Sequence, residues 1–313
     1  YENGSLLDDL MSYVYNGKNC KMILLGDTAQ LPPVQLDVSP ALDTDLLSMH
    51  YHKEVFSIEL DEVMRQEEKS GILYNATELR EILKSDFFDT FQFRVKGFKD
   101  IVRLTDGYDI QDAIHSAYSN YSIEDTCFIV RSNKRANQYN QQIRSRILDK
   151  ESELSVGDYL MVVKNNYYWL DPLSSAGFIA NGELLKVHRI RKIEEVYGVR
   201  FAHLEVSLID YPDLDRFETI AFMDTLTIEQ PNLDREFLKH LFYEIEKDFM
   251  HEHNKQKRYQ EIMKSPYFNA LQIKFAYAVT CHKSQGGQWA AVFVDHGYLE
   301  FEQVDFSFMR WLY

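Results

Sequence analysis

Three short stretches of the chain combine residue types suited to handling phosphate groups. In the first, the apolar run Met22-Ile23-Leu24-Leu25 stops at Gly26-Asp27, the pattern of a buried strand in a parallel α/β sheet. Ligands of such sheets sit beyond the carboxyl ends of the strands, so residues 27–30 stand where chemistry is usual. The second, residues 131–146, holds Arg131, Lys134, Arg135, Arg144 and Arg146 and no acid. On charge alone it reads equally well as a solvated helix face. The third, Thr280-Cys281-His282-Lys283-Ser284-Gln285-Gly286, follows a strand-like run and sets a lysine beside a hydroxyl. The formal charge of −15 excludes a protein that coats nucleic acid by bulk attraction, because such binding is dominated by Lys and Arg neutralising phosphates. Any contact with nucleic acid must be local.

The elements that would position these stretches can be read from pattern and punctuation. Residues 5–15 place apolar side chains at helical spacing behind the capping residue Ser5 and end near Asn16-Gly17. Residues 61–84 are helical in pattern. Residues 125–130 make another short buried strand, followed by the basic helix, so a second α/β unit is implied. After Glu151 the texture changes to β-like runs at 159–163, 183–190 and 199–209, with turn signals at Gly157-Asp158, Asn181-Gly182 and Tyr197-Gly198. This reads as a small barrel inserted in the α/β domain. Residues 232–267 are charged and helical, and Phe237, Leu241, Ile245 and Phe249 form one apolar stripe, a packing face. Strands at 275–280 and 291–295 then resume the α/β domain.

With 45% hydrophobic residues in 313, the chain can bury two or three cores. Its 20 Tyr, 20 Phe and 3 Trp supply those cores and leave rings for stacking on a flat ligand. Cys20, Cys127 and Cys281 have no paired spacing for zinc or a disulfide framework, which fits a reducing compartment. No apolar run approaches ~18 residues and no leader is evident. The expectation is a cytoplasmic protein without membrane contact. Both ends, Tyr1 and Arg310-Trp311-Leu312-Tyr313, read as cut from a longer protein.

Gly26-Asp27-Thr28-Ala29-Gln30-Leu31-Pro32-Pro33-Val34 resembles the third motif of superfamily 1 helicases, in the form found in the RecD-like group. The resemblance implies nucleotide contact by Asp27 and Gln30, with Gln30 sensing the γ-phosphate. Leu60-Asp61-Glu62-Val63-Met64-Arg65-Gln66 resembles the next motif, in which Arg65, followed by Gln66, reaches the nucleotide across a domain cleft. Arginine suits that role through its permanent charge and planar fork. Asp61-Glu62 follows the Gly-Asp-Gln motif, the wrong position for a metal-binding acidic pair, and is read as structural. Residues 275–288 resemble the fifth motif, implying nucleotide contact by Gly286 and Gln288 and strand contact by His282, Lys283, Ser284 and Gln285. Such backbone contacts position DNA without reading its sequence. Gln288 stands where the family usually has an acid. Val130-Arg131-Ser132-Asn133-Lys134 resembles the family's TNK-type segment, implying that Arg131, Asn133 and Lys134 lie on single-stranded DNA. The last four residues resemble the opening of the sixth motif.

The implied fold is α/β: a RecA-like parallel-sheet motor domain with an inserted small β-barrel of Src-homology type and a helical insertion. Residues 1–57 would end a first RecA-like domain, 58–150 begin a second, 151–225 form the barrel, 226–270 the helical insertion, and 271–313 resume the second domain. The implied function is that of the carboxyl-terminal portion of an ATP-dependent DNA helicase moving 5′ to 3′. ATP and Mg²⁺ would serve the intact protein, with none bound by this portion. Single-stranded DNA and subunits of a repair complex are the implied partners. The alternative is a catalytically inactive relative that binds single strands as a subunit or scaffold. A nuclease has little support, since no acid-and-lysine cluster is seen. No GxxxxGK[ST] occurs: Gly17-Lys18 is followed by Asn19 and lacks the upstream glycine. No acidic metal-binding motif precedes Gly26. The purified chain should therefore show no ATPase above background with single-stranded DNA present. Robust Mg²⁺-dependent turnover would overturn this placement of the nucleotide chemistry.

Overall fold

Helix signals dominate the amino-terminal residues. Helix α1 (Leu6–Tyr15) carries Asp8 and Asp9 in its first turn, where negative charge favours the helix dipole. Helix α2 (Thr44–Tyr51) is capped by Asp43, whose carboxylate accepts the Leu46 N–H at 2.9 Å. The Tyr51 hydroxyl donates to Asp8 at 2.5 Å and ties α2 to α1. Helix α3 (Gly71–Lys84) starts against Asp100, which accepts the Gly71 N–H at 2.9 Å and the Ser70 hydroxyl at 2.7 Å. These bonds hold the Asp100 carboxyl below its ordinary range.

The computed structural model describes residues 6–28, 30–33, 36, 38–60, 70–84, 92–295 and 297. The described residues divide into two compact units, one within residues 1–106 and one within residues 107–297. In the first unit the expected buried strand at Met22-Ile23-Leu24-Leu25 is absent. The segment is irregular, with Ile23 83% and Leu25 90% exposed. A strand needs a neighbour for its N–H and C=O groups, and no other strand exists among the described residues of this unit. The helix expected over 61–84 is seen as α3 in its described part.

The second unit contains α4 (Gly107–Asn120), β1 (Thr126–Val130) and α5 (Asn133–Arg146), then β2 (Tyr159–Val162), β3 (Leu184–Val196), β4 (Val199–Leu208) and β5 (Phe217–Phe222). Helices α6 (Arg235–Asp248) and α7 (Lys255–Met263) follow, then β6 (Leu271–Phe275), β7 (Ala278–Thr280), α8 (Cys281–Ser284) and β8 (Ala291–Asp295). A three-stranded parallel sheet has the order β7-β1-β8, and β2-β3-β4-β5-β6 close a barrel. The sequence pattern places the resumption of the α/β domain at one strand, 275–280. That run instead splits: β6 closes the barrel, Ala276 and Tyr277 make the break, and β7 joins the sheet. Closure removes the edges that β2 and β5 would otherwise expose. The break is held by buried Asn140, which donates to the carbonyls of Phe275 (3.2 Å) and Ala278 (2.9 Å) and accepts the Ala278 N–H at 2.8 Å.

Strand β4 serves two cores with its two faces. Ala202, Leu204, Val206 and Leu208 point into the barrel core, while Val199 and Phe201 join Ile220 and Phe222 against the helical insertion. Leu241 and Ile245 of the predicted stripe are fully buried there, flanked by Phe237 and Phe249.

Arg144 is not a surface cation. It is buried and binds Asp158 through Nε at 3.1 Å and Nη2 at 2.9 Å, and it also donates to the Ser152 carbonyl at 2.7 Å. Asp158 also accepts from Lys150 (3.0 Å), Tyr277 (2.8 Å) and the Ser155 N–H (2.7 Å). Replacing Asp158 by Ala leaves the Arg144 guanidinium in the interior without its carboxylate, a change that costs about 3–5 kcal/mol in buried pairs. Urea unfolding of the variant should show a loss of that size. A loss below about 1 kcal/mol would mean that the network does not hold the unit together.

Candidate nucleic-acid interface

The parallel sheet brings two of the predicted segments together. In register, Val130 of β1 lies opposite Thr280 of β7 and Asp295 of β8. The three strands therefore end at one edge, and residues 131–134 and 281–285 both leave from it. Beyond the carboxyl ends of parallel strands is where α/β proteins place their ligands.

Helix α5 begins at this edge because Ser132 caps it, its hydroxyl accepting the Arg135 N–H at 3.2 Å. Arg131 and Lys134 are exposed there and Asn133 is half-buried. Lys134 Nζ lies 3.9 Å from Glu229. Arg135 is paired with Asp295, which also accepts the Tyr139 hydroxyl at 2.7 Å. Burial alone would raise the Asp295 carboxyl, but the bonds from Arg135 and Tyr139 hold it below its ordinary range. The basic run is thus divided by the helix period. Its amino-terminal residues face solvent at the sheet edge, and Arg144 supports the interior.

At α8, Lys283 is half-buried and donates to the side-chain oxygen of Asn181, in the barrel loop between β2 and β3. The Ser284 hydroxyl donates to the Cys281 carbonyl at 2.9 Å, so it can donate to a phosphate only by leaving that bond. His282, Gln285, Gly286 and Gln288 are exposed. Gly286 has φ +83°, a left-handed turn that glycine adopts without steric cost. Two further groups at this edge carry no motif. Lys274 of β6 donates to the Ile228 carbonyl at 2.6 Å, and Asn137 of α5 donates to the carbonyls of Thr227 (2.9 Å) and Ile228 (3.1 Å). Burial, and then the charge of Lys283, pushes the Lys274 ammonium down to about 8. Burial lowers Lys283 as well. The only signal for Lys274 in the sequence is a cation in a short strand that alternates apolar and polar residues.

Asp27 and Gln30 belong to the first unit. The Gln30 N–H turns back to the Asp27 carbonyl at 3.3 Å, Gln30 is exposed and Asp27 is half-buried. Gly26 sits beside Leu42, where a Cβ would lie 2.6 Å from a methyl carbon, so a side chain there would have to displace the Leu42 methyl groups. Arg65 and Gln66, like Asp61, Glu62 and residues 310–313, lie outside the described residues. Among the described residues no group of three His, Cys, Asp or Glu could hold a metal, and no helix is long and apolar enough to cross a membrane.

Residues 275–313 match the family described as the UvrD-like helicase C-terminal domain. Along most of its length the chain is also similar to an uncharacterized protein of Acanthamoeba polyphaga mimivirus. The two are 23% identical over 337 residues, covering 93% of this chain and 65% of the relative. The chain thus spans about 65% of the length of the curated relative it matches.

The edge contains a thiol that tests its packing. Burial pushes the Cys281 thiol up to about 11 and that of Cys127 up to about 12, while Cys20 is exposed. The thiolate is the reactive form. Alkylation of the native chain at pH 8 should therefore modify Cys20 quickly and the other two slowly, with Cys281 accelerating as the pH approaches 11. Mass spectrometry of peptides would check this, and rapid labelling of Cys281 at pH 8 would contradict the packing described for α8.

Proposed function

We propose that this chain is the carboxyl-terminal portion of an ATP-dependent DNA helicase of the RecD-like group, translocating 5′ to 3′ on single-stranded DNA. The helicase relation itself is carried by the match at residues 275–313. The subgroup, polarity and RecA-like assignment rest on the motif resemblances. The observation that carries strand binding is the shared sheet edge, which sets Arg131, Asn133 and Lys134 beside His282, Lys283, Ser284 and Gln285. These side chains can hold successive phosphates without reading bases. Gln30 and Arg65 are assigned to nucleotide sensing in the intact protein, together with Asp27, Gln66, Gly286 and Gln288.

The sequence of this chain carries no P-loop motif. No GxxxxGK[ST] is present in the 313 residues, and among the described residues no group of three His, Cys, Asp or Glu stands where it could hold a metal. What the chain contributes is binding and orientation: lysines and an arginine that hold a strand, and a glutamine and an arginine suited to a terminal phosphate. The second reading is a catalytically inactive single-strand-binding subunit or scaffold. A repair-complex partner and a cytoplasmic setting belong to either reading. A P-loop in the longer protein would select the first.

Binding of fluorescent single strands should be weak and fall steeply with salt. Replacing Lys134 and Lys283 together by Ala should weaken it on all sequences alike. It should also reduce the slope of log affinity against log salt by roughly 0.7 for each phosphate that is no longer neutralised. Losses that depend on sequence, or no loss at low salt, would sink the placement.

A further inference from the structure

The barrel loop between β2 and β3, residues 163–183, reaches the same edge through Asn181, the acceptor for Lys283. It also displays an aromatic ring that no core uses. Tyr167 is 67% exposed and its ring lies on Phe178, with centroids 4.8 Å apart and planes at 23°. One face of Tyr167 is therefore backed by Phe178 while most of the side chain meets solvent. A short polar path joins this ring to the edge. Asn165 donates to the Tyr167 hydroxyl at 3.2 Å and accepts the Asn181 N–H at 2.8 Å, and Asn181 in turn receives Lys283.

The loop is built to hold this shape. Asn166 and Ile179 exchange backbone bonds at 2.8 and 2.9 Å. The Asn166 side chain and the Trp169 indole N–H both donate to the Asn269 carbonyl at 2.8 Å. Gly177 takes the left-handed turn at φ +68°. A ring held in this way loses little freedom when a second flat group stacks on it, and the lysine near it bonds a neutral amide rather than a carboxylate. An exposed aromatic beside cations is how proteins bind single strands without sequence preference: the rings take the bases and the cations take the phosphates.

We infer that this barrel loop is a base-stacking platform, with Tyr167, backed by Phe178, taking a base of a single strand whose phosphates lie at Lys283 and Lys274. The inference rests on the strand-binding reading above and adds to it a contact with bases and a role for the barrel. The platform accepts any base, because every base has a flat face.

Two probes separate the contacts: a short oligothymidine and an abasic strand of equal length, which keeps the phosphates and lacks the bases. With the full chain at low salt, Tyr167→Ala should weaken oligothymidine binding roughly five- to a hundredfold, the range for loss of one stacked base, and leave abasic binding unchanged. Tyr167→Phe keeps the ring and should bind like the unaltered chain. In Tyr167→Trp the new indole's fluorescence should be quenched by oligothymidine and not by the abasic strand. Lys283→Ala should weaken both strands. Unchanged melting temperature of Tyr167→Ala is expected at so exposed a position and guards against a folding effect. If Tyr167→Ala weakens both strands equally, or neither, while the unaltered chain binds, the platform is wrong and the strand-binding edge stands. If the unaltered chain binds no oligothymidine even at low salt, both fall together.

Discussion

Asp158 is the group on which the second unit depends. Its carboxylate is wholly out of solvent and gathers donors from Arg144 of α5, Lys150, the Ser155 backbone and the Tyr277 hydroxyl. A buried carboxylate costs several kcal/mol unless its lone pairs are occupied by charged and polar partners. Those partners come from separate stretches of chain, so they are collected only when the stretches assemble together. The chain enters the barrel one residue after Asp158 and leaves it at Tyr277, one residue before β7. One anion thus joins the two places where the backbone passes between sheet and barrel, and Tyr277 adds a bond from the Tyr159 N–H at 3.2 Å.

The candidate interface inherits its geometry from this lock. Helix α5 is fixed from behind by Arg144 and from the side by Asn140, so its first turn presents Asn133 and Lys134 in a set direction. The same Asn140 fixes the start of β7, which sets where α8 leaves the sheet and where Lys283 stands. Groups carried on α5 and α8 keep their spacing because both elements answer to buried hydrogen bonds, which are expensive to break in a low-dielectric interior. The barrel belongs to this assembly too. Its loops at Asn181 and at residues 227–229 receive Lys283, Asn137 and Lys274.

What can be read in the sequence divides along physical lines. Strand β1, helix α5, the barrel hairpins and the apolar stripe of α6 are legible because periodicity and turn residues are local signals. The match at residues 275–313 falls on the stretch where Thr280 to Gly286 stand out by residue type. Met22-Ile23-Leu24-Leu25 misleads, since an apolar run specifies a strand only where a neighbouring strand exists to pair with it. Arg144 misleads for a different reason. Charge counting along a helix cannot distinguish an arginine aimed at solvent from one aimed at an acid fourteen residues on in the chain. The split of residues 271–280 between barrel and sheet depends on Asn140, more than 130 residues earlier. Asn181 and Lys274 are invisible in the sequence as residues of this edge because their partners lie far away in sequence. Tyr167 has only its residue type to mark it.

Charge distribution bears on how so acidic a chain could offer the proposed edge to a polyanion. The net charge is −15, and the cations near the edge are not all available to a phosphate. Arg144 is fully engaged in the interior and Arg135 is committed to Asp295. Lys134 keeps only a distant, exposed contact to Glu229 at 3.9 Å, and solvent-exposed pairs of that kind are worth ~0–1 kcal/mol, so a phosphate can displace it. Lys283 and Lys274 differ again. Their partners are a side-chain amide and a backbone carbonyl, both neutral, and burial disfavours the charge on each. The charge of Lys283 adds to burial in disfavouring that of Lys274, and an anion beside the two, as proposed, would offset both the desolvation and the repulsion. The attraction is strong where solvent is already thin and screening is weak, which confines it to the few ångströms around this edge. On the proposed reading a strand would be held there locally, while the rest of the acidic surface would repel it and keep it from lying down elsewhere.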